Sequence, residues 1–195
     1  IVGRNPNIVY ASGCGQGELG PDADAGSYDM LGYWSRSGVA YALSREEDHE
    51  ITAPPPAFGD SIGAMTIAGG IMGALFHRER TGEATTVDVS LLGVGMWSMG
   101  AAMALSLQLD MPWKAPARGS TFGNPLVGTF ETSDGRFVAL TCLQGFKYWP
   151  EACEVVGLPE LAHDPRFADT PSIMANAPEG AALLQGAFAQ HTLAE

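Results

Sequence analysis

AFGDSIGAMTIAGGIMGALFHRERTG, residues 57–82, is the stretch from which the rest of the chain is read. The breaker run Pro54-Pro55-Pro56 precedes it, and its first charge is a lone carboxylate, Asp60. Residues 61–76 carry no charge, and the stretch closes on His77-Arg78-Glu79-Arg80 and then Thr81-Gly82. An acid at the start, bases in the last turn and a glycine just past the end are the signals of a helix. Its middle is built from Gly, Ala, Met and Ile, so neighbouring backbone can approach it closely. An isolated aspartate facing the positive end of such a helix is either a cap, worth about 1 kcal/mol, or a reactive group.

Working outward, residues 84–90 (ATTVDVS) alternate and are β-branched, a strand, and residues 91–109 form a second uncharged helix. Upstream, residues 8–12 (IVYAS) read as a buried strand, 13–24 as a loop and 27–43 as a helix. Residues 44–56 are acidic and then proline-rich, a connection. From Asp110 the texture changes to a loop rich in Pro and Gly. Beyond it, residues 127–132, the turn signal Ser133-Asp134-Gly135 and residues 136–142 predict a β-hairpin. Helical stretches follow over 146–156 and from 179 to the end. The order predicts an α/β fold: a large domain over 1–109, a linker over 110–124 and a smaller α+β domain over 125–195.

Of 195 residues, 46 % are apolar and 16 % charged, which is a globular composition. A net charge of −12 argues against nucleic acid or an anionic membrane surface as a partner. Three cysteines (Cys14, Cys142, Cys153) lack CxxC spacing, and no basic n-region opens the chain, so a reducing cytoplasm is expected. His49, His77, His163 and His191 have no metal-ligand spacing, and no metal is expected. Trp34, Trp97, Trp113 and Trp149 read as packing residues. The chain starts at Ile1 and stops inside a helical stretch, which leads to the expectation that it is a fragment.

Two further patterns have bland readings. Gly15, Gly17 and Gly20 fit GxGxxG after a strand, but Pro21-Asp22-Ala23-Asp24 continues the loop and places acids where phosphates would sit. The uncharged segments 61–76 and 89–109 invite a membrane reading. The first is shorter than the roughly 20 residues a bilayer requires, and the linking stretch EATTVDVS (83–90) alternates like a strand and lacks a Lys/Arg cluster. Buried core helices are the expectation.

The residues GSYD (26–29), FGDS (58–61), ALFHRERTGEATTVDVSLL (74–92) and RGSTFGNPLVGTFETSDGRFVAL (118–140) together resemble the family III coenzyme A-transferases. These are the CaiB/BaiF type, a superfamily that includes formyl-CoA transferase, carnitine CoA-transferase and the α-methylacyl-CoA racemases. The likeness runs over nearly the whole chain. It implies a Rossmann-like large domain and a smaller α+β domain in an interlocked homodimer. A further segment carrying many CoA contacts would precede this chain. No permanently bound cofactor is implied, and coenzyme A or acyl-CoA enters as substrate with a carboxylic acid as acceptor.

By the same resemblance Asp60 is the catalytic carboxylate, which forms an acyl-aspartyl anhydride and then an aspartyl-CoA thioester. The N–H groups of Ser61, Ile62 and Gly63 are oxyanion candidates at the helix start. Gly26, Ser27, Tyr28 and Asp29 match the stretch lining the CoA site. Gly119 and Gly123 match the glycine-rich loop that keeps water off the anhydride. Here Ser120, Thr121 and Phe122 stand between them, which counts against formyl or oxalyl substrates. In the racemases a histidine stands at the place of Tyr28 and a glutamate at that of Gln144. Neither residue here is a general base near neutral pH, so CoA transfer leads over racemisation. The remaining alternative is a chain inactive by itself.

Overall fold

The computed structural model describes residues 1, 3–45, 50–115 and 121–195. Two compact units divide the chain, Ile1–Ala115 and Pro116–Glu195.

In the first unit, strand β1 (Tyr10–Cys14) is followed by a π-helical segment Met30–Arg36 and the short helix α1 (Val39–Leu43). The single helix expected over 27–43 is thus broken. Gly38 sits at φ 89°, a conformation closed to most residues, and turns the chain between the two pieces. Helix α2 (Phe58–Thr81) then leads to β2 (Thr86–Ser90), and α3 (Leu91–Ser98) and α4 (Gly100–Leu109) follow. β1 and β2 pair in parallel, with Tyr10 opposite Thr86 and Cys14 opposite Ser90. A parallel pair needs a long crossover, and α2 supplies it.

Gly63, Ile67, Gly70 and Ala74 recur every three or four residues and form the stripe of α2 that meets the sheet. A Cβ on Gly70 would lie 2.5 Å from Val87 Cγ1, so the helix rests on β2 through a residue with no side chain. Gly69 and Gly73, at GxxxG spacing, face open space. Beneath the start of α2 lies a small core of Tyr33, Trp34, Val39, Ala40 and Val94.

The expectation that α2 and the following helices are buried is not met within this chain. Only Gly59, Gly63 and Ala74 of α2 are buried, and no residue of α4 is. The 24-residue helix meets the two-stranded sheet along one stripe and meets α3 and the Met30–Arg36 segment near its start, and most of its residues stay exposed. By length and composition alone α2 could cross a membrane, as could the pair α3–α4, bent by 58°. Trp97 is 86 % exposed, against the reading of it as a packing residue.

The second unit holds the antiparallel hairpin β3 (Val127–Glu131) and β4 (Phe137–Thr141), then α5 (Gly145–Val155). Two 3-10 turns, Pro159–His163 and Pro165–Phe167, lead to α6 (Thr170–Ala175) and α7 (Ala177–Phe188). Its core gathers Leu126, Phe130, Trp149, Cys153, Phe167, Ile173 and Leu184. The Trp149 and Phe167 rings pack at a tilt of 42° with centroids 4.4 Å apart, and the Trp149 Nε1–H donates to Leu161 O at 3.0 Å.

Candidate active site

The site grows from the way α2 begins. Its N-cap is Ala57, held at φ 58° and carrying no side chain able to cap. Asp60 stands in the first turn, three residues into the helix, and is exposed. Of the two readings open for Asp60, that of N-cap is therefore excluded by position.

In a βαβ crossover the helix runs back over the sheet, which brings its N-terminus to the carboxyl ends of the strands. That is the crevice where open α/β sheets take their ligands. Here the crevice is a cavity of about 360 Å³. Gly13, Cys14 and Gly15 at the end of β1 form one wall, and Val89 and Leu91 form another. Asp60, Gly63, Ala64 and Ile67 of α2 and the loop residues Ser27 and Tyr28 complete it. Asp60 is the one carboxylate in a lining that is otherwise small or apolar apart from the Ser27 and Tyr28 hydroxyls and the Cys14 thiol.

Gly15 is needed for the shape: a Cβ there would lie 2.2 Å from the Cβ of Ser27. Its carbonyl accepts from the Leu92 N–H at 3.0 Å, which ties the loop after β1 to the start of α3. Of the glycines that mimic a dinucleotide motif, Gly15 thus serves close packing while Gly17 and Gly20 turn the chain at φ 103° and 100°, and no helix follows them before Met30.

The structure sorts the residues named from sequence. Asp60, Ser27, Tyr28 and Gly63 come together on the cavity. Tyr28 is 83 % exposed, so its ring is free to meet a ligand. Gly26 is exposed beside them but does not line it. Asp29 is buried and does not line the cavity; its Oδ1 accepts the Gly59 N–H at 3.0 Å. Gly119 lies outside the described residues, as do His49 and Arg118. Gly123 belongs to the second unit, at φ 76° beside Met174. Gln144 is there too, at the N-cap of α5.

The oxyanion assignment needs correction. Because α2 begins at Phe58, the Ser61 N–H already donates to Ala57 O at 2.9 Å. Ile62 and Gly63 sit deeper in the same α-helical ladder, where each N–H bonds the carbonyl four residues back. The donors ahead of that first bond are those of Phe58, Gly59 and Asp60, and Asp29 takes the one on Gly59. Sequence reasoning also missed Cys14, Ala64, Ile67, Val89 and Leu91 as lining residues. Small and apolar side chains carry no chemical signal, and only the parallel pairing of β1 with β2 gathers them.

Residues 2–195 match the family model described as CoA-transferase family III. The chain belongs to that family. A (R)-2-hydroxy-4-methylpentanoate CoA-transferase of Clostridioides difficile is 25 % identical over 195 residues, covering 100 % of this chain and 48 % of the relative. An acetyl-CoA:oxalate CoA-transferase of Acetobacter aceti is 33 % identical, covering 88 % of this chain and 43 % of the relative. Among solved structures, a CaiB/BaiF family protein from Brucella suis superposes with a TM-score of 0.77 at 26 % identity, over 98 % of this chain and 49 % of that one. The chain spans about half the length of the curated relatives it matches. Its mixed α/β architecture is that of the CaiB/BaiF fold over this half.

Proposed function

We propose that the polypeptide containing this chain moves coenzyme A between an acyl-CoA and a carboxylic acid, with Asp60 as the covalent carrier. The observation that supports the reading is that Asp60 opens onto a cavity while its helix is capped without it.

The Asp60 carboxylate attacks the thioester carbonyl, forming an acyl-aspartyl anhydride and expelling CoA thiolate. The thiolate adds to the aspartyl carbonyl of the anhydride and releases the donor acid, leaving an aspartyl-CoA thioester. The acceptor carboxylate attacks that thioester, giving a second anhydride and CoA thiolate again. The thiolate attacks the acceptor's carbonyl, and the new acyl-CoA leaves Asp60 as it began. Exchange between two acids thereby becomes four acyl transfers, each starting from a good nucleophile. Each passes through a tetrahedral oxyanion, for which the Phe58 and Asp60 N–H groups are the first-turn donors without a partner shown among the described residues. An anhydride must be kept from competing water, and the resemblance gives that part to the loop holding Gly119 and Gly123.

The reading includes a homodimer in the cytoplasm, with residues 1–109 as the later part of a large domain and 125–195 as the first part of a small one. The test is trapping: the full polypeptide is incubated with acyl-CoA and hydroxylamine, then digested and analysed by mass spectrometry. A hydroxamate on Asp60 and loss of turnover in Asp60→Ala are expected. An unmodified Asp60, or full turnover in Asp60→Ala, ends the proposal.

A further inference from the structure

We infer that Asp29 is a positioning residue for Asp60, acting as a cap on α2 supplied from 30 residues upstream in the chain. A helix normally has the N–H of its second or third residue accepted by the side chain of its own N-cap. Here the N-cap is Ala57, which has no acceptor to offer. The second helical residue is Gly59, and its N–H donates instead to Asp29 Oδ1 at 3.0 Å. Both partners are buried, so neither has water as an alternative.

The fit around this bond leaves little freedom. A Cβ on Gly59 would lie 2.4 Å from Asp29 Oδ1 and 2.2 Å from Tyr33 Cγ. Phe58 is braced on the same side, edge-on to Tyr33 and Trp34 with centroids 6.1 and 6.4 Å away. The residues on either side of the bond, Tyr28 and Asp60, both line the cavity. One hydrogen bond therefore sets the spacing between the Tyr28 wall and the nucleophile, while Asp29 itself stays out of the cavity. The CoA-contact role that the resemblance gives Asp29 is replaced by this one.

The inference rests on Asp60 being the acyl carrier, and the experiment separates the two. Asp29→Ala and Asp29→Asn are made in the full polypeptide, and single-turnover acylation of Asp60 is followed by hydroxylamine trapping. Misplacing a nucleophile by about 1 Å costs up to about 100-fold in rate. Asp29→Ala is expected to slow acylation by about 10- to 100-fold, with the trapped amplitude still near one per Asp60 and KM for acyl-CoA within about twofold. Asp29→Asn keeps the Oδ1 acceptor and is expected to stay within about threefold of the parent. A wild-type rate in Asp29→Ala overturns the inference. So does a lowered amplitude at an unchanged rate, which marks misfolding, or a raised KM at unchanged kcat, which marks a substrate contact. Equal slowing in Asn and Ala overturns it as well. Turnover surviving in Asp60→Ala sinks the parent reading instead.

Discussion

Gly59 shows at the scale of one residue how packing and chemistry share a position. Its missing side chain lets the start of α2 sit on Tyr33 and Asp29, so Gly59→Ala must move one of them. Overpacking of this kind costs about 2 kcal/mol, and denaturant unfolding is expected to show that loss together with slower acylation of Asp60. The cysteines give a second contrast. Cys14 lines the cavity, while Cys153 is wholly buried and burial, with help from the Glu160 charge, pushes its thiol up to about 11. Iodoacetamide at pH 7.5 is therefore expected to label Cys14 and spare Cys153, and acyl-CoA should slow the labelling of Cys14. Equal labelling of both, or no protection by acyl-CoA, contradicts the placement. Asp60, Ser27 and Tyr28 could be named from sequence because they lie in motifs. Cys14 could not, since its part depends on β1 ending where α2 begins.

At the scale of elements, β2, the hairpin and the long helix were legible because their signals are local, whereas the buried strand expected over 8–12 runs over Tyr10–Cys14 with none of its residues buried. Alternation marked β2, a Ser-Asp-Gly turn marked the hairpin, and Gly82 at φ 77° ends α2 where a glycine stop was expected. The segment 27–43 misled because its apolar residues suit a helix throughout, whereas Gly38 interrupts it. Residues 159–175 showed no helical period because their prolines divide them into turns of three to six residues. One of these turns is held by Asp164, which caps it by accepting the Arg166 N–H at 2.9 Å and also accepts from the Arg166 side chain. The Arg166 guanidinium and then its N–H lower the carboxyl from its ordinary 3.8 to about 2. A group with a depressed folded-state pKa stabilises the fold above its unfolded value and loses that contribution as pH falls through its folded one. Melting temperature measured against pH is expected to drop between about pH 4 and pH 2, and Asp164→Asn should flatten that part of the curve. An unchanged slope in Asp164→Asn would show that the pair contributes nothing to the turn.

At the scale of the whole molecule, the charge and composition that mark a globular chain say nothing about which faces a given stretch can cover by itself. An uncharged helix in such a chain reads as core, yet α2 leaves Met65, Met72 and Phe76 between 65 and 73 % exposed. Leu107 on α4 is 84 % exposed and Trp97 on α3 is 86 % exposed. The second unit differs, since its hairpin and helices enclose Trp149, Phe167 and Leu184 at 2 % exposure or less. Apolar patches larger than a few hundred Å² are rare on monomers and drive association when left uncovered. The 195-residue chain made alone is therefore expected to sediment as oligomers and to bind an environment-sensitive hydrophobic dye. Replacing Met65 and Met72 with Lys, both exposed and outside the cavity lining, should lower dye binding and raise the monomer fraction. The matching pair Phe137→Lys and Leu143→Lys, both exposed in the second unit, serves as the control and should change either readout far less. Association that persists unchanged in the α2 variant would place the adhesive surface elsewhere, and the exposed side of α2 would then be inert.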